Sequence, residues 1–103
     1  MTERKTKPVE SAMKVLDVLN LLLRHFALGL TSSEIAKGTG LSQSDITRYV
    51  MTLEEKGFAE RIPESGRIRP SVRVAQAAVQ IMKALDDAAG RIDELKTRIN
   101  RTH

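Results

Sequence analysis

The sequence predicts a mainly α chain: a winged helix-turn-helix, made of a three-helix core and a β-hairpin wing, followed by a long C-terminal helix. Three observations predict it. Residues 31–61, "TSSEIAKGTGLSQSDITRYVMTLEEKGFAER", hold two helix-opening signals separated by a glycine-bearing turn. The stretch after them alternates apolar and polar residues around a further glycine. Beyond that, apolar residues recur at alternating spacings of four and three to the end of the chain.

Composition sets the frame for these elements. A chain of 103 residues suits one compact domain with an appendage, because domains usually run to roughly 100–200 residues. Hydrophobic residues make up 41% and charged residues 29%, a globular mixture rather than a disordered one. The aromatics are Phe26, Tyr49 and Phe58, so the core must come from Leu, Ile, Val, Met and Ala, which favours helices. Absent cysteines exclude disulfides and thiolate chemistry, and "MTERKTKPVE" has no apolar run of the secretory kind, so the expected location is cytoplasmic. The greasiest stretch, "VLDVLNLLLRHFALGL", is interrupted by Asp17, Asn20, Arg24 and His25 and reads as a buried helix rather than a membrane span.

Residues 1–8 are polar and end in Pro8, which disfavours helix immediately before it, so they read as a flexible arm. From Val9 or Ser11 to Ala27, the positions Ala12, Leu16, Leu19, Leu23 and Phe26 gather one apolar face on a first helix. Gly29 in "LGL" is its expected C-terminal cap. Thr31 with Glu34 forms a capping box that opens a short second helix, Ser32 to Thr39. Gly40 suits the positive φ of a tight turn, Leu41 pins that turn to the core, and Ser42 with Asp45 opens a third helix near Gln43. Its inward face is Ile46, Val50 (or Tyr49) and Leu53, and "EEKG" ends it at Gly57. "FAERI" then alternates as a half-buried strand, "PESG" is a turn with Gly66 as its positive-φ position, and "RIR" begins the return strand. Residues 9–73 are thus expected to form the winged helix-turn-helix domain.

From Ser71 to about Asn100 only Gly90 opposes helix, at a cost of about 1 kcal/mol relative to Ala. Val74, Ala78, Ile81, Leu85, Ala88, Ile92, Leu95 and Ile99 form a heptad seam, the pattern that keeps one stripe facing a partner helix. Residues 74–103 are therefore expected to be a dimerisation helix acting through Ile81, Leu85, Ala88, Ile92, Leu95 and Ile99. The alternative is that this stripe folds back on the first helix of the same chain.

A net charge of +4 and a pI near 9.8 permit nucleic-acid binding. The basic excess sits in residues 1–14 and 58–73, each with four basic and two acidic groups. In a helix-turn-helix the second helix braces the third, whose leading residues enter the major groove. Gln43, Ser44, Thr47 and Arg48 occupy that leading part and are not needed for the core. Gln pairs bidentately with adenine and Arg with guanine, each worth about 1–3 kcal/mol of discrimination, while Ser and Thr serve phosphate or base. Arg67 and Arg69 sit where a wing meets backbone or minor groove. The bland alternative is that these polar residues are merely solvated. Asp45 caps the helix or accepts from cytosine N4, and Arg4, Lys5 and Lys7 form either a groove-following arm or a solubilising tail.

Residues 9 to about 78 resemble the N-terminal DNA-binding domain of the IclR family of bacterial transcription regulators. "LTSSEIAKGTGLSQSDITRYVMTLEEKGFAER" and "ESGRIRPSVRVAQAA" carry the resemblance. Ser44, Arg48, Thr52, Leu53, Gly57 and Phe58 match the family pattern. The family's wing usually reads Gly-Arg-Tyr-Arg-Leu-Gly, where Gly66, Arg67, Ile68, Arg69, Pro70 and Ser71 stand here. Tyr49 and Val50 replace two leucines, and Asp45 replaces Ser or Thr. The resemblance implies binding to double-stranded DNA, and the dimer expected from the heptad seam would match a palindromic site. Family members continue into a ligand-binding domain, and a chain ending at His103 leads us to expect a reader head on a helical stalk with no small-molecule effector domain.

Other function classes find less support. His25 and His103 are isolated, no acid, His and nucleophile cluster is spaced for catalysis, and no glycine-rich phosphate loop or cofactor motif occurs. Metal binding lacks both Cys and a His pair. The rival reading is a protein-interaction adaptor, or an antagonist of a regulator, in which the winged helix is only a scaffold.

Overall fold

A computed structural model of the chain describes residues 6–101. The element order is α1 (Glu10–Leu23), α2 (Ser32–Thr39), α3 (Gln43–Glu55), β1 (Ala59–Arg61), β2 (Ile68–Pro70) and α4 (Val72–Asn100). The chain divides into two compact units between Ser71 and Val72. The first is a winged helix-turn-helix and the second is the long helix. Of the predicted arm, residues 1–5 lie outside the described residues, including Arg4 and Lys5, and His103 lies outside them at the other end.

The predicted caps form as local chemistry dictates. Thr31 Oγ1 accepts from the Glu34 amide at 3.1 Å while Glu34 Oε1 accepts from the Thr31 amide at 2.9 Å, closing both halves of the capping box. Ser42 Oγ accepts from the Asp45 amide at 3.2 Å and starts α3. At the far end of α3 the Gly57 amide returns to the Glu54 carbonyl and the Phe58 amide to the Leu53 carbonyl, the paired bonds of a Schellman stop.

Two features of α1 differ from expectation. The helix ends at Leu23 rather than Ala27, because the Arg24 and His25 amides bond three residues back to Leu21 and Leu22 and tighten the chain into a turn. Gly29 follows that turn instead of capping the helix directly, and its φ of 72° aims the chain into the sheet. There Leu30 exchanges two 2.8 Å backbone hydrogen bonds with Ile68, an isolated bridge to β2 that the sequence reading missed.

The buried face of α1 also differs. Val18, Leu21 and Leu22 are buried and Val15 and Leu19 pack against them, whereas Leu16 and Leu23 are about half exposed and Phe26 somewhat less so. At about 100° per residue this stripe lies roughly a quarter turn from the one expected. The helix is apolar on most sides, so its period alone supports either face.

The core joins α1 to Leu30, to Ile35 of α2, to Ile46, Tyr49, Val50 and Leu53 of α3, and to Ala59 and Ile68 of the hairpin. Both open alternatives for α3, Tyr49 and Val50, are thus inside. Burying each such side chain contributes about 1.5–3 kcal/mol, against about 0–1 kcal/mol for an exposed ion pair. The orientation of α3 is therefore set by its apolar face, which leaves the opposite face free for other uses. In the hairpin Ala59 pairs with Pro70, Glu60 with Arg69 and Arg61 with Ile68. Pro70 ends the ladder, and the next amide, that of Ser71, donates to the Phe58 carbonyl.

The helix α4 runs for 29 residues without interruption at Gly90, and none of its residues is buried.

Candidate nucleic-acid interface

The residues predicted to read a duplex come together on the side of α3 turned away from the core. Gln43, Ser44, Thr47 and Arg48 are all exposed, while Ile46, Tyr49, Val50 and Leu53 hold the other side. The start of the helix is tied down by short bonds. Ser44 Oγ lies 3.2 Å from Ser42 Oγ, and Thr47 Oγ1 donates to the Gln43 carbonyl at 3.0 Å. Gln43 Nε2 reaches back to the Ser32 carbonyl of α2 at 3.5 Å, a long bond that a better acceptor can displace.

Arg48 extends from this face with 74% of its side chain exposed. Its nearest carboxylate is that of Asp45, at 3.9 Å. A pair at that distance and exposure contributes little, so the guanidinium keeps its donors for an external acceptor. Asp45 contributes its amide to the Ser42 cap.

One turn further along the same face stands Met51, 61% exposed and outside the core cluster. With Arg48, Thr52, Glu55 and Lys56 it borders an open concavity of about 430 Å³. The sequence reading passed over Met51, although it lies three residues after Arg48 and seven after Ser44, the spacing that shares a helix face.

The wing arginines are placed otherwise than the α3 residues. Arg67 Nη2 is 2.8 Å from Glu34 Oε1, its Nε donates to the Gly29 carbonyl at 3.3 Å, and its amide donates to Ser65 Oγ at 3.2 Å. Arg69 lies directly across from Glu60, and both its Nε (3.0 Å) and Nη2 (2.9 Å) reach Glu60 Oε2. Each wing arginine is therefore engaged within the domain through part of its guanidinium. Five N–H donors leave some of each fork available to a second acceptor. Arg61, which the sequence reading did not single out, lies on β1 with its Nη2 3.7 Å from Glu54 Oε1 and its side chain 49% exposed.

Glu34 is the junction of this arrangement. The Thr31 amide, more than any other group, holds its carboxyl below the usual carboxylate range, assisted by the charge of Arg67, the Thr31 hydroxyl and His25 and opposed by partial loss of solvent.

In the second unit Ile81, Leu85, Ile92, Leu95 and Ile99 lie on one stripe of α4 with 50–61% of each exposed, and Ala88 is half-buried in the same row. Among the described residues no group of His, Cys, Asp and Glu could hold a metal ion, and no helix is long and apolar enough to cross a membrane.

Comparison with known proteins bears on these surfaces. Residues 11–63 match the IclR helix-turn-helix domain family. Over 97 residues the chain is 29% identical to the HTH-type transcriptional regulator XynR of Escherichia coli (strain K12), covering 91% of this chain and 37% of that regulator. The solved structure of Pseudomonas aeruginosa HmgR is 28% identical with a TM-score of 0.60, over 89% of this chain and 39% of the other. An IclR transcriptional regulator from Alicyclobacillus acidocaldarius is 28% identical with a TM-score of 0.63, over 73% of this chain and 30% of the other. The chain thus spans well under half the length of each of these three proteins.

Proposed function

The chain belongs to the IclR helix-turn-helix family, and from that premise we propose that it is a sequence-specific, double-stranded DNA-binding transcriptional regulator that acts as a dimer. The observation that carries this is the exposed polar face of α3. Its leading turns are capped by Ser42, braced by α2 and committed to nothing in the core. In the proposed complex α3 enters the major groove, with Arg48 as the principal base-reading cation and Gln43, Ser44 and Thr47 on bases or phosphates. The wing follows backbone or minor groove through the free donors of Arg67 and Arg69.

In the same reading residues 9–73 are the reader, residues 1–8 precede it as an arm, and residues 74–103 form the dimerisation helix. Two α4 stripes packed together bury Ile81, Leu85, Ala88, Ile92, Leu95 and Ile99, which otherwise leave a row of large apolar side chains in water. A two-fold dimer matches a palindromic site with half-sites about one helical turn apart or a multiple of it.

The deciding experiment is selection of bound duplexes from a random pool, with affinity then measured against salt. A palindromic consensus and a steep fall of affinity with salt are expected, because phosphate neutralisation releases counterions. Absence of duplex binding at low salt would refute the regulator and leave the scaffold reading.

A further inference from the structure

We propose that Met51 reads the C5-methyl group of a thymine in the major groove, an apolar contact added to the polar face of α3; this rests on the proposed docking of α3 against DNA. Met51 follows Ser44, Thr47 and Arg48 on one helix face, at seven, four and three residues respectively. Whatever surface receives those three side chains receives Met51 as well. It is the large apolar member of that face, 61% exposed and apart from the core. Its place is not a terminus where exposure is incidental: α3 has 13 residues and Met51 is well inside it.

The chemistry of the groove selects the contact. Base edges there present hydrogen-bond donors and acceptors throughout, except for the methyl group on thymine. A flexible thioether side chain has no donor and only a weak acceptor to offer, and it adapts readily to an irregular apolar surface. Position sets its register. At about 1.5 Å rise per residue, Met51 lies roughly 4.5 Å along the axis from Arg48, about the spacing of adjacent base pairs at roughly 3.4 Å. The thymine is thus expected within one or two base pairs of the base that Arg48 reads. The carboxylate of Glu55, one turn further on the same face, disfavours phosphates there and marks the end of the contact.

The test uses the full chain and the duplex selected by it from an unmethylated random pool. Each thymine of the half-site is replaced in turn by deoxyuridine, which removes only the C5-methyl group. For the wild-type chain one thymine per half-site should show about a fourfold loss of affinity on replacement, the size expected for exposing one buried methyl. Met51→Ala should bind both duplexes equally, with unchanged circular dichroism because the side chain is outside the core. Met51→Gln should shift the selected base at that position from thymine toward adenine. If no thymine is sensitive to loss of its methyl, or if sensitivity survives in Met51→Ala, the inference fails while DNA binding stands. Loss of all duplex binding by the wild type, random DNA included, overturns the parent reading and this inference together.

Discussion

Arg67 of the wing and Glu34 of α2 are 33 residues apart in sequence, and their side chains meet at 2.8 Å. The same Glu34 oxygen accepts from the Thr31 amide, so one carboxylate both opens α2 and holds the wing against it. The helix-turn-helix and the hairpin are thereby joined by a charged bond between two parts proposed to touch DNA. Because both side chains are partly exposed, solvent screens the pair and its direct contribution to stability is small. Its use is to fix position.

The charge of Glu34 makes that junction sensitive to acid. Its folded-state carboxyl titrates below its ordinary value of 4.5, so it contributes stability that is fully present above that value and lost as pH falls through the lowered one. Glu34→Gln keeps the shape of the cap and removes the charge. Thermal melts should place the wild type above this variant at neutral pH, and the difference should shrink steadily below about pH 4.5. A gap that is constant across this range would show that the charge of Glu34 does not stabilise the fold.

Two glycines with the same φ of 72° should respond very differently to alanine. A Cβ on Gly66 meets nothing within 4 Å, so Gly66→Ala should cost only the left-handed backbone strain, about 1–2 kcal/mol. A Cβ on Gly29 would stand 2.6 Å from the Ile68 carbonyl oxygen, which accepts the Leu30 amide. Gly29→Ala must break that pairing or move the strand, and should cost about 3 kcal/mol or more. Urea unfolding of the two variants measures the contrast.

Arg48→Ala should separate recognition from stability. Its side chain is 74% exposed and its one ion pair is 3.9 Å long, so the midpoint of unfolding should move by less than about 0.5 kcal/mol. Affinity for the selected duplex should fall about 10- to 100-fold, with a smaller loss on random DNA. Arg69→Ala should do the reverse: it removes the two short bonds to Glu60 across the hairpin, weakens the hairpin, and lowers affinity on all sequences while reducing the salt slope by about one.

Dimerisation is proposed to run through α4, and a chain truncated after Ala78 lacks the stripe from Ile81 to Ile99. Sedimentation should find that fragment monomeric where the full chain is dimeric. Leu85→Asp in the full chain should act in the same direction by placing charge in the seam. A truncated fragment that still dimerises would move the interface to the first unit, where Met13, Leu16 and Leu23 of α1 are also exposed.

By itself the sequence determined the features whose causes are local. Thr31 with Glu34, and Ser42 ahead of Asp45, announce their helices because a cap is satisfied within three residues. Gly40 and Gly66 mark their turns for an equally short-range reason. The inward row Ile46, Val50 and Leu53 follows from the helical period, and with it the exposure of Gln43, Ser44, Thr47 and Arg48 on the other side. Tertiary structure decided what local signals leave degenerate. In α1 apolar residues surround the helix, so only contact with α3 and the hairpin selects Val18 and Leu22 over Leu16 and Leu23. The Leu30 bridge exists because Ile68, 38 residues away, offers it two backbone bonds. The guanidinium of Arg67 finds Glu34 and that of Arg69 finds Glu60 for a related reason: a long charged side chain reaches any carboxylate within its length, and which carboxylate lies there is set by how the chain folds over itself, not by its neighbours in sequence.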